Sequence, residues 1–135
     1  MALPIHHPLS EVVVDGGIAS VATGLNGMMR APFKGRITEI GAVLGSATTT
    51  ADATATCSIA GTAVTGGTFI LSQSSSSAGT TAFCSVSGIG NNGATAGGTI
   101  TGANTCNEGD PIKVAITGSG TGGGTVYVYA VVSKT

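Results

Sequence analysis

Apolar and polar positions alternate along this chain with a period of two, and no stretch holds the 3.6-residue period of an amphipathic helix. Residues 52–60 show it best: Ala53, Ala55, Cys57 and Ile59 fall on one side, Thr54, Thr56 and Ser58 on the other. That is the pattern of a strand with one face buried. The tight turn Glu108-Gly109-Asp110-Pro111 feeds a second such run, in which Ile112, Val114 and Ile116 face the core. Residues 80–86 place Thr80, Ala82, Cys84 and Val86 on one face and Thr81, Phe83 and Ser85 on the other. In the run 125–132, Val126, Val128 and Ala130 oppose Tyr127, Tyr129 and Val131, so both faces are apolar or aromatic. This predicts a strand that is central or covered on both sides.

The stretch 32–44 is the longest strand predicted. Pro32 fixes φ and holds Ala31 extended. Strict alternation would put Phe33, Gly35, Ile37, Glu39 and Gly41 opposite Lys34, Arg36, Thr38, Ile40 and Ala42, which leaves the polar residues Arg36, Thr38 and Glu39 unsorted. Its environment must change along its length. The β-branched run 11–15 reads as a strand closed by a Gly16-Gly17 turn, with a further short strand over 18–22. Gly61-Thr62 reads as a turn, 63–65 as its continuation, and 68–71 as a short apolar strand after Gly66-Gly67. Segments 24–30, 45–50, 73–79, 88–107 and 118–124 read as loops from their Gly, Ser, Thr and Asn content. The twenty-residue segment 88–107 is long for a compact domain, with at most strand pieces near 99–101. Residues 1–10, with Pro4 and Pro8, read as an extended arm; residues 11–135 form one domain. About eight strands with turn-rich links predict an all-β fold, a β-sandwich of the jelly-roll kind. The chain has no Trp, which argues against an immunoglobulin domain.

Composition narrows the function. Charged residues are 8% of the chain, against about a quarter in ordinary soluble domains. Either other subunits or a partner cover much of the surface, or hydroxyls coat it. Net charge is −1, and five scattered cations offer no stripe for nucleic acid. No segment approaches the ~18 apolar residues of a membrane-spanning helix. The N-terminus lacks the basic and apolar regions of a signal peptide. Cys57, Cys84 and Cys106 fit no zinc spacing; they read as small buried hydrophobes, while a pair such as Cys57 with Cys84 would suit an oxidising setting.

Catalysis has no evident basis. The only histidines, His6 and His7, stand side by side in the arm, where neighbours in an extended chain point opposite ways. The acids are spread singly or at turns; Asp52 and Asp110 stand where turn-capping carboxylates belong, with no acidic cluster to suggest calcium. The glycine-rich stretches precede no helix, so they make no phosphate site. The sequence therefore predicts no enzyme, no metal and no cofactor. The residues read as contacts with a partner or another subunit are Leu3, Ile5, His6, His7 and Leu9 in the arm and Leu25, Met28, Met29 and Arg30 in the 24–30 loop.

Three segments carry a resemblance: Ala31-Pro32-Phe33-Lys34-Gly35-Arg36-Ile37; the strand ending Ile59-Ala60-Gly61-Thr62; and Glu108-Gly109-Asp110-Pro111-Ile112. Together they resemble the small decoration, or cement, proteins of tailed bacteriophage capsids, some related to the attachment domains of head fibres. Here Ala60-Gly61 stands where that pattern has Asn-Gly. The resemblance implies a jelly roll, a homotrimer, and a position on the capsid exterior across neighbouring major capsid proteins, after assembly in the host cytoplasm. The alternative is a carbohydrate-binding or receptor-binding module of a phage fibre. That needs exposed aromatics, and Tyr127, Tyr129, Phe33, Phe69 and Phe83 all fall in strands that read as buried.

Overall fold

A computed structural model of the chain describes residues 11–20, 26–46, 52–73, 78–92, 98–118 and 125–135. These form ten strands: β1 (Glu11–Ser20), β2 (Gly27–Arg30), β3 (Gly35–Leu44), β4 (Ala53–Ile59), β5 (Thr62–Leu71), β6 (Thr81–Ser85), β7 (Gly88–Asn92), β8 (Thr105–Cys106), β9 (Pro111–Gly118) and β10 (Thr125–Lys134). One sheet runs β1-β10-β3-β6-β7, with β8 also paired to β3; the other runs β2-β9-β4-β5. The pairings β1/β10, β2/β9, β3/β6 and β4/β5 are all antiparallel. They nest as one long hairpin wound on itself, which is the jelly roll. Two short strands, β7 and β8, are added to its eight.

The core lies between the sheets. Ile37, Ile40, Leu44, Val126, Val128 and Val132 of the first sheet meet Phe69, Leu71, Ile112 and Val114 of the second, all fully buried. The alternations predicted for β4, β9 and β10 hold: Ala53, Ala55, Cys57, Ile59, Ile112, Val114, Ile116, Val126, Val128 and Ala130 are all inward. The three cysteines are buried and unpaired.

Several expectations need correction. Gly16-Gly17 is not a turn. β1 runs straight through it, because Asp15 pairs with Tyr129 and Ile18 with Tyr127, which leaves one surplus residue as a β-bulge. Gly17 takes φ 75° there, and its N–H donates to Asp15 Oδ1 at 2.7 Å. The predicted pieces 63–65 and 68–71 are likewise one strand, β5, irregular at Gly66 (φ 78°). Part of the predicted 24–30 loop is strand β2.

The segment 88–107 is not structureless, since it supplies β7, β8 and the buried Ile100. Its N–H groups at Ile100 and Thr101 donate to Ser85 O and Thr65 O, which ties the two sheets together. β10 is central, as expected, but its outer face is not covered: Tyr127 is 50% exposed.

β3 departs most from simple alternation. Glu39 pairs with Val131 but Ile37 with Val132, so Thr38 is a bulge residue. Before it Gly35 and Ile37 point inward; after it Ile40, Ala42 and Leu44 do. One extra residue inverts the parity, as a one-residue slip must. The unsorted polar residues of the sequence are the trace of this bulge.

Candidate functional site

Two surfaces stand out, one at an end of the sandwich and one on a sheet face. The three segments behind the resemblance lie far apart in sequence yet meet at one end. Ala31 N–H donates to Asp110 O at 2.9 Å, Gly109 N–H to Ala31 O at 2.9 Å, and Ala60 N–H to Pro111 O at 2.9 Å. Ala60 (φ 48°) and Gly61 (φ 87°) form the two-residue hairpin turn between the paired Ile59 and Thr62, with both central residues left-handed as a type I′ turn requires. Asp110 Oδ2 accepts the Asn107 N–H at 2.8 Å and caps its own turn, whereas Asp52, at the other end, caps no local turn: its Oδ1 accepts the Gln73 N–H at 2.7 Å and links the start of β4 to the end of β5.

The register brings charge to the same end. Arg30 pairs with Pro111, Gly35 with Lys134, Arg36 with Ser133, and Met28 with Lys113. Lys34 sits just before β3. All five cations of the chain thus gather in the last rungs of one end, and all are exposed. Lys134 Nζ lies 6.0 Å from the centre of the Phe33 ring. Glu11, the first residue of β1, pairs with Ser133, so β1 begins at this end too. Glu108 and Asp110 are the other acids there, and Asp110 is occupied with its turn. Among the described residues that flank the strands at the opposite end, Asp52 is the single charged one.

The second surface is the outer face of the β1-β10-β3-β6-β7 sheet. Its rungs follow from the register: Glu11, Ser133 and Arg36; then Val13, Val131, Glu39 and Ser85; then Asp15, Tyr129, Gly41 and Phe83; then Tyr127, Val43 and Thr81. Tyr129 lies against Gly41, where an added Cβ would come within 2.6 Å of its hydroxyl. A bare glycine beside an aromatic lets the ring settle on the backbone. The Tyr129 hydroxyl donates to Glu39 Oε2 at 2.8 Å. Burial, and then the hydrogen bond to Glu39, push its phenol pKa well above the ordinary value, so it remains a donor. Above Glu39 opens a notch of about 590 Å³ lined by Arg36, Thr38, Glu39, Phe83, Ser85 and Ser133 among others. The bulge makes it possible: Arg36 and Glu39, three apart, would face opposite ways on a regular strand.

Of the residues read from sequence as contacts, Leu3, Ile5, His6, His7, Leu9 and Leu25 lie outside the described residues. Met28 (55% exposed) and Arg30 face outward on β2. Met29 is 8% exposed and belongs to the core, so it offers no outward surface. The aromatics did not all turn inward: Phe69 is core, but Tyr127 is exposed and Tyr129, Phe83 and Phe33 are half-buried. The notch residues escaped sequence reasoning because only the disorder of polar positions at 36–39 marked them. Among the described residues no group of three His, Cys, Asp or Glu side chains is placed to hold a metal ion.

The fold defines the chain as a jelly-roll β-sandwich. No protein-family profile matches it, and no curated protein sequence does. Among solved structures it is similar to the CBM36-1 domain of a multidomain xylanase from the hindgut metagenome of Trinervitermes trinervoides, at 11% identity over 93% of this chain and 98% of that chain, with a TM-score of 0.46. A likeness that loose carries no weight for function.

Proposed function

We propose that this chain is a non-enzymatic structural protein that decorates and stabilises the outside of a tailed-phage capsid, as a trimer that bridges major capsid proteins. The observation that carries the reading is the convergence at one end of the sandwich. The three motif segments, five exposed cations and the start of β1 share that end. On this reading it is the docking end, the arm extends from it along the shell, and complementary charge sets orientation and on-rate. The opposite end, where Asp52 is the single charge among the described residues, faces solvent. Removing residues 1–10 abolishes attachment to purified capsids while the circular dichroism spectrum of the domain stays unchanged. Full occupancy by the truncated chain would overturn the proposal.

A second reading, a carbohydrate-binding or receptor-binding module of a phage fibre, is favoured by one observation: Tyr127 is half exposed, one rung from Tyr129 and Phe83 on an open sheet face. A glycan screen that gives reproducible binding, lost on Tyr127→Ala with the fold intact, supports it; a blank screen removes it.

A further inference from the structure

We infer that the notch formed by the Thr38 bulge is a saccharide subsite, with Glu39 as the hydroxyl acceptor, Arg36 as the donor and Phe83 as the apolar wall. This rests on the second reading, that the outer face of this sheet binds sugar, and assigns it to residues other than Tyr127. Three features of the notch bear on it.

The first is the bulge. It leaves Thr38 without a partner residue on β10, and its carbonyl is held by the Val86 N–H at 2.9 Å while its hydroxyl reaches Val131 O at 3.4 Å. A bulge costs ladder pairing and re-aims side chains. Here it sets a guanidinium and a carboxylate on one face of the sheet, which also exposes the apolar Val13 and Tyr127.

The second is positioning. Tyr129, seated on Gly41, donates to Oε2 of Glu39, which fixes the carboxylate from beneath and leaves acceptor sites free, since an ionised carboxylate has about four. Tyr129 is a positioning residue; Glu39 is the group that meets the ligand.

The third is the balance of chemistry. A carboxylate accepts two neighbouring hydroxyls, a guanidinium donates to ring or hydroxyl oxygens, and Ser133 lies beside Arg36 on the same rung. The C–H face of a pyranose packs on Phe83, which is half-buried and outward. The notch volume of about 590 Å³ falls within the ~300–1,000 Å³ typical of small-molecule sites. With Glu11 and Glu39 against Arg36 on the lining, an anionic ligand is disfavoured; a neutral sugar fits.

The test is ¹H–¹⁵N chemical-shift mapping of the full chain with glucose, galactose, N-acetylglucosamine and their β-linked disaccharides. N-acetyl-lysine methylamide serves as a cationic control and glucuronate as an anionic one. The proposal expects shifts centred on Arg36, Glu39, Phe83 and Ser85 with at least one neutral sugar. It further expects affinity to fall about tenfold or more in Glu39→Gln, which keeps the acceptor for Tyr129 but loses the charge, and in Phe83→Ala. Sugar-induced shifts centred on Tyr127 and unaffected by Glu39→Gln overturn the notch while sparing the second reading. Shifts from the lysine analogue alone, or from none of the probes, overturn both.

Discussion

Gly41 is the residue on which the outer face depends, and Gly41→Ala tests that dependence. An added Cβ would lie 2.6 Å from the Tyr129 hydroxyl oxygen, 2.7 Å from its Cζ and 2.8 Å from Phe83 Cβ. None of these can stand, so the tyrosine ring must leave its seat and its hydroxyl must leave Glu39. A hydrogen bond to a charged group is worth about 1.5–3 kcal/mol, and the half-exposed Tyr129 belongs at the low end. Overpacking adds about 1–3 kcal/mol. The expected loss is about 2.5–4.5 kcal/mol, a large share of the roughly 5–15 kcal/mol that holds a domain together. Urea unfolding followed by circular dichroism measures it. The decisive comparison is a double-mutant cycle with Tyr129→Ala. Without the ring, Gly41→Ala loses its two nearest conflicts and keeps the one with Phe83 Cβ, and its cost should drop by at least about 1 kcal/mol. A cost of similar size in both backgrounds would show that Tyr129 does not rest on this glycine.

Other outcomes follow from the same geometry. Ala60→Asn should raise Tm by about 3 °C, because a left-handed alanine costs roughly 1 kcal/mol that asparagine relieves in a type I′ turn; an unchanged or lowered Tm speaks against strain at this turn. Burial pushes Cys57 up to about 12 and Cys84 up to about 11, from an ordinary value of 9.0. The unfolded chain therefore releases these protons first. Their contribution to stability is complete below pH 9 and shrinks as pH rises toward 11. Thermal melts across that window should decline less steeply in a Cys57→Ala, Cys84→Ala variant, and equal slopes would exclude the thiols as the cause. If the cationic end docks on an acidic shell, replacing Arg30, Lys34 and Lys113 with Gln should weaken capsid binding and flatten its salt dependence, with Tm nearly unchanged. A salt slope equal to that of the unaltered chain would place docking elsewhere.

Much of the fold was written locally. The alternation in β4, β9 and β10 and the turns at Gly61 and Asp110 needed only neighbouring residues, because a strand's two faces are separated by its own pleat. The β-sandwich followed from the number and spacing of such runs. The bulges were not local in that sense. Gly16-Gly17 reads as a turn until β10 continues beside it, and the surplus residue at Thr38 exists only relative to Val131 and Val132. Parity along a strand is a sequence property; register between strands separated by some ninety residues is a tertiary one, set by which side chains fill the shared core. For the same reason sequence alone showed five scattered cations and three separate turn motifs. Winding the chain as a jelly roll brought them to one end, and set Arg36, Glu39 and Phe83 around one notch.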